Sequence, residues 1–137
     1  MLFVSNRTEF LPVEFPSELA DGAFLAGNEA AWRLAAAAQV VEWLGLHGYA
    51  VLGTELWVIR DGAIHSLPIG QSTMPEVYGN VVNRQADEPW TTFVNRAASE
   101  TVAYLRSFKS SEIVERGDLH FNVTWVSEQE FQKLRSA

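Results

Sequence analysis

Three histidines, His47, His65 and His120, are the residues of this 137-residue chain best suited to proton transfer or metal ligation. No two of them fall in an HxxxH or HExxH arrangement, so each would need partners from distant segments to build a site. His47 lies in Leu46-His47-Gly48, where it can offset the negative end of a helix, and His65 and His120 read as solvent-facing strand residues. The serines include no GxSxG elbow, and neither GxGxxG nor GxxxxGK[ST] supplies a phosphate cradle. With no cysteine, thiol nucleophiles, thiolate zinc sites, iron–sulfur clusters and disulfides are excluded. Carboxylates pair at Asp87-Glu88 and at Glu112 with Glu115, but general acid–base work needs two carboxyls held at a fixed separation, and neighbouring acids on a polar loop are ordinarily solvated. Glu55 differs. It follows Gly53-Thr54 and precedes Leu56-Trp57, so a bulge there could re-aim it toward a site; the plainer reading is a charge that blunts a strand edge. These residues predict no catalytic group, no metal and no cofactor, hence a protein that binds rather than an enzyme.

The elements that would position such residues follow from periodicity. Residues 1–27, punctuated by Pro12, Pro16, Gly22 and Gly27, carry too many aromatics (Phe3, Phe10, Phe15, Phe24) for a disordered tail and predict an arm pinned to the core. A first long helix is expected over about 28–46, with Asn28 as N-cap, Glu29 at its positive end, and Gly45 and Gly48 as the stop. Its apolar residues surround almost the whole circumference, so it should pack on more than one face. Residues 49–52 and 55–60 read as strand, Asp61-Gly62 as the turn of a hairpin, and 63–67 as the returning strand. Residues 68–88 lack a convincing period and form the long loop most suited to binding, which a short strand around 78–82 could shorten. Trp90, Phe93, Val94, Ala97, Thr101, Tyr104, Leu105 and Phe108 then mark an amphipathic helix to about 108. Leu119, Phe121, Val123 and Trp125 alternate with His120, Asn122 and Thr124, a half-buried strand with one exposed face. Ser127-Glu-Gln-Glu130 is a capping box that opens a C-terminal helix. Trp32, Trp43, Trp90 and Trp125 fall on apolar stripes and read as core, whereas Trp57 sits in a wholly apolar run that leaves its face open.

The formal net charge of −7, with no Lys/Arg cluster, disfavours nucleic acid and anionic membrane as partners. It suits either simple solubility or electrostatic attraction of a basic protein. Met1 to Phe15 has no signal-peptide pattern and no stretch reaches the ~20 apolar residues of a membrane span, so a cytoplasmic protein is expected.

The order of parts also resembles a known family. An apolar helix ending in Gly45-Leu46-His47-Gly48 leads into Tyr49-Ala-Val-Leu-Gly-Thr-Glu-Leu-Trp-Val58. A hairpin and a Pro/Gly loop follow, then Glu88-Pro89-Trp90, a helix ending in Ala103-Tyr104-Leu105, and the strand Phe121-Asn-Val-Thr-Trp125. The pattern, over roughly 28–131, is similar to the immunity protein 40 family of bacterial polymorphic toxin systems, except that Thr54 stands where members often carry a second glycine. The resemblance implies a cytoplasmic protein that neutralises a cognate toxin by direct binding, and it carries over no catalytic residue.

The sequence thus predicts one α+β domain over 1–137: an antiparallel sheet of about four strands with two long helices packed on one face. The leading function is an immunity protein that presents Glu55, Glu76, Asp87 and Glu88 to a basic toxin. The alternative is a small-ligand or small enzyme domain with a pocket near Glu55, between helix 28–46 and the sheet. A third reading is a structural subunit whose exposed strand pairs with a second copy, giving a homodimer.

Overall fold

The computed structural model describes residues 10–65, 78–109 and 117–136. Glu76, residues 68–77 of the predicted loop and the Glu112/Glu115 pair lie outside the described residues. In chain order the elements are α1 (Ser17–Asp21), β1 (Phe24–Ala26), β2 (Glu29–Trp32), α2 (Leu34–Leu46), β3 (Ala50–Arg60), β4 (Ala63–His65), β5 (Gly79–Val81), α3 (Trp90–Ser107), β6 (Asp118–Val126) and α4 (Glu128–Ser136). The strands form one antiparallel sheet in the order β1-β2-β6-β3-β4, with β5 also pairing β3. The α+β architecture, with α2 and α3 on one face of the sheet, is the predicted one.

The first long helix begins later than predicted. Residues 29–32 form β2 instead, and the tight loop Gly27-Asn28 joins β1 to β2 with Ala26 opposite Glu29. Gly27 supplies the positive φ (61°) that a two-residue hairpin loop of this kind needs at its first position. Alanine favours helix, but intrinsic propensity is small beside tertiary contacts, and here pairing decides: Ala31 and Trp32 pair Asn122 and Phe121 of β6. Trp32 is wholly buried there, and its Nε1 donates to the Leu19 carbonyl at 2.6 Å. Asn28 is therefore a loop residue rather than a helix cap, and Arg33 holds the N-cap position of α2. This hairpin raises the strand number to six among the described residues, against about four predicted.

Other local signals act as read. Asp61 (φ 52°) and Gly62 (φ 75°) make the β3–β4 turn, in which Arg60 faces Ala63. At the C-terminal end, Glu130 N–H donates to Ser127 Oγ at 3.1 Å while Ser127 N–H donates to Glu130 Oε1 at 2.9 Å, a reciprocal capping box. The helix face of the sheet meets α2 and α3 through Val40, Val41 and Leu44 of α2, Leu105 of α3, and Leu56 and Phe121 of the sheet. Phe93, Val94 and Ala97 of α3 extend this core toward Val82 and Val126. Phe15 lies edge-on to Trp43 at 5.1 Å and Phe10 stacks on Trp125 at 6.2 Å, so the arm is pinned to the core from residue 10 onward.

Strand β3 carries the feature that matters most for the site. Its ladder with β6 runs from Ala50 opposite Val126 to Ile59 opposite Asp118, and the register slips between Val51 and Gly53. The extra residue, Leu52, is a bulge beside the predicted Gly53-Thr54 break. Beyond it Leu56 joins the helix-side core, while Trp57 and Ile59 join a separate cluster with Ala26 and Ala31. Glu55, two residues before Trp57, lies on that second face.

Candidate binding face

The second face of the sheet is not the exposed polar surface that the alternation in β6 predicts. His120 and Asn122 are both buried, at 8% and 6% exposure. The reason lies in the β1–β2 hairpin, which curls this side of the sheet over so that Phe24 meets the Trp57 ring edge-on at 6.5 Å and lies 6.0 Å from the His120 ring. Asn122 has an internal partner, donating from Nδ2 to the Ala30 carbonyl at 3.0 Å. His120 Nδ1 has none and is sealed from solvent. Burial, with the positive charge of Arg33 adding to it, holds the His120 pKa below its usual value against the opposing pull of Asp118.

Two carboxylates flank the central strand on this face. Glu55 faces Asn122 across the β3–β6 ladder, and its Oε1 accepts a hydrogen bond from Trp57 Nε1 at 2.9 Å. Glu29 lies on the other side of β6, two residues before Ala31, which also pairs Asn122. It lines a notch of about 320 Å³ with Asn28, Asn122, Thr124 and Glu130. Neither acid has an ion-pair partner among the described residues. Partial burial and then the nearby charge of Glu55 raise the pKa of Glu29 above the ordinary carboxylate value.

The remaining sequence candidates lie elsewhere. Asp87 is exposed in the turn before α3, at a positive φ of 61° that Asp tolerates better than most residues. Glu88, its neighbour, is buried, and its carboxylate is not presented to solvent. Arg96 grips it with Nε on Oε2 and Nη2 on Oε1, both at 2.8 Å, and Gln85 N–H donates to Oε1 at 3.0 Å. These bonds hold the Glu88 pKa down to about 2. The structure thus places Glu55 on the sheet's second face and the Asp87–Glu88 turn at the start of α3, not in one cluster.

The space between α2 and the sheet, where a pocket using Glu55 was expected, is filled by Val40, Val41, Leu44, Leu56 and Phe121. Glu55 points to the opposite face because the alternation along β3 leaves Leu56, not Glu55, toward the helices. Among the described residues, no three His, Asp or Glu side chains converge in a way that could hold a metal ion.

Sequence reasoning missed Glu29 and the burial of His120. The signal for the first was Gly27-Asn28 between two short apolar runs, a hairpin pattern masked by the alanines that follow. The signal for the second was the continuous apolar run Leu56-Trp57-Val58-Ile59, which marks a strand covered on both faces and so requires the neighbouring β6 to be covered as well. The chain matches no family model, no curated protein and no solved structure.

Proposed function

We propose that this chain is a cytoplasmic, non-catalytic binding protein that neutralises a basic partner, as an immunity protein does its cognate toxin. The contact surface in this reading is the sheet face bearing Glu29 and Glu55. The supporting observation is the uncompensated pair of carboxylates across β6: Glu29 is crowded enough by burial and by Glu55 that its pKa rises. A charge kept at a cost to the isolated chain is what an incoming Lys or Arg would relieve, because an opposite charge within a few ångströms favours the ionised carboxylate. Exposed Asp87 and the net charge of −7 would steer such a partner at long range, whereas Glu88 serves the fold through Arg96. The absence of a membrane-spanning helix among the described residues is compatible with the cytoplasmic setting.

The test is affinity capture from the source cells with the wild-type chain and with Glu29→Gln/Glu55→Gln, at low salt and at about 0.15 M. One basic protein captured in a stoichiometric complex, weakened by salt and lost with the double variant, is the expected result. Glu29→Gln should at the same time leave the free chain as stable or more stable at neutral pH, since the folded state disfavours that charge. Capture unaffected by the double variant would refute the assignment of this face. A partner that proves to be a small cation held in the notch beside Glu29 would favour the ligand-binding alternative.

A further inference from the structure

A second surface carries two arginines beside a strand edge. Strand β5 is the outer strand beside β3, and its ladder is fixed by Leu56 N–H donating to the Tyr78 carbonyl at 2.8 Å and Val82 N–H donating to the Leu52 carbonyl at 2.9 Å. In an antiparallel pair the hydrogen-bonded positions alternate, so Asn80 also faces β3 while the N–H and C=O of Val81 point outward; the Gly79 N–H is taken by the Tyr104 hydroxyl of α3. The Val81 side chain is 77% exposed, and among the described residues no strand pairs the outer side of β5. Natural proteins ordinarily blunt such an edge with charge, proline or a covering element. Here a cavity of about 570 Å³ lies along it, with Leu52, Val82 and Phe131 giving apolar wall and Arg84 and Arg135 giving two cations.

Arg84 is built into place. Its guanidinium lies 5.5 Å from the centres of both the Trp90 and Phe131 rings, and its Nε donates to the Glu88 carbonyl at 2.9 Å. No carboxylate among the described residues ion-pairs with Arg84 or Arg135. In a chain of charge −7, the charged side chains lining this apolar cavity are both arginines, and neither forms an ion pair among the described residues.

We propose that the β5 edge is a docking site for an extended acidic peptide segment of a partner protein. The peptide backbone would pair with the outward N–H and C=O of Val81, an aliphatic side chain would cover Leu52 and Phe131, and a carboxylate would bridge Arg84 and Arg135. Strand addition supplies affinity through main-chain bonds, and the flanking pocket and cations supply selectivity. The site is independent of the acidic face, which selects the opposite charge.

The test uses the full chain and a fluorescein-labelled hexapeptide, Asp-Val-Glu-Val-Asp-Leu, read by fluorescence anisotropy. Saturable binding should weaken about tenfold or more with Arg84→Gln/Arg135→Gln, with Arg135→Gln alone giving a smaller loss in the same direction. Methylating alternate peptide nitrogens should weaken it at least as much without any change to the protein. Val81→Pro should do likewise while leaving the fold intact, because proline is tolerated where a strand N–H faces solvent. The same peptide with Asn and Gln in place of its acids should bind at least tenfold more weakly. No binding at peptide concentrations of about 1 mM, or binding indifferent to N-methylation and to Arg135→Gln, would overturn the proposal. So would concentration-dependent self-association abolished by Val81→Pro, which would make a second copy of this chain the occupant of the edge.

Discussion

The short edge strand β5 is tied to α3 through the Asn80 side chain as well as through the Tyr104 hydroxyl on the Gly79 backbone, and removing Asn80 gives a sharp test of how the sheet's edge is held. Thr54 Oγ1 donates to Asn80 Oδ1 at 2.5 Å, and Asn80 Nδ2 donates to Thr101 Oγ1 at 3.0 Å. Thr101 is wholly buried in α3 and Thr54 nearly so, at 0% and 8% exposure. Asn80→Ala deletes two neutral hydrogen bonds of about 1 kcal/mol each. It also strands the Thr101 hydroxyl, a cost partly offset because a helical threonine can turn its hydroxyl to the carbonyl one turn back. The expected total is about 2–3 kcal/mol, which for a chain of this length lowers Tm by about 7–10 °C. Thr101→Val alone should cost about 1 kcal/mol, since the half-exposed Asn80 amide can turn to water. The double variant should cost no more than Asn80→Ala by itself, a coupling of about 1 kcal/mol. Urea unfolding of the four proteins at neutral pH, with an unchanged slope, measures all three quantities. Additivity within about 0.3 kcal/mol would refute the claim that Asn80 joins β5 to α3 through Thr101.

Two further expectations concern pH. His120 is buried with its pKa depressed, so the folded state disfavours the imidazolium; its neutral form has full stability above about pH 6.5, and stability falls as pH drops from there toward the folded pKa. Replacing it by Leu should remove that slope from the urea midpoint below about pH 6.5, and an unchanged slope would place the titration elsewhere. Glu88 has a depressed pKa of about 2, so its bond to Arg96 stabilises the fold fully above the ordinary carboxylate range, and that contribution is lost as pH falls from about 4.5 toward 2. Glu88→Gln should be less stable than wild type at pH 7 and converge with it in acid; a constant difference at every pH would show that the charge is not what matters.

Much of this architecture was legible from local chemistry. Asp61-Gly62 set a hairpin because both positions must take positive φ, and Ser127 with Glu130 set a helix start because each satisfies the other's backbone N–H. The stripe Phe93, Val94, Ala97, Thr101, Leu105 set α3 because only a helix brings those residues to one side. Each signal is complete within a few residues.

The candidate sites were not legible in that way, since each depends on contacts between distant segments. Glu29 reads as a helix-start acid until β6 is present to pair with Ala31 and Trp32, and only then does it stand across the sheet from Glu55. His120 alternates as a surface residue until the β1–β2 hairpin brings Phe24 over it. Glu88 counts among the available acids until Arg96, two turns along α3, closes on it. The sequence by itself determined turns, caps and helix periodicity, because these rest on backbone dihedrals and near-neighbour bonds. The tertiary structure decided which charges remain free, because burial and pairing depend on what folds back from far along the chain.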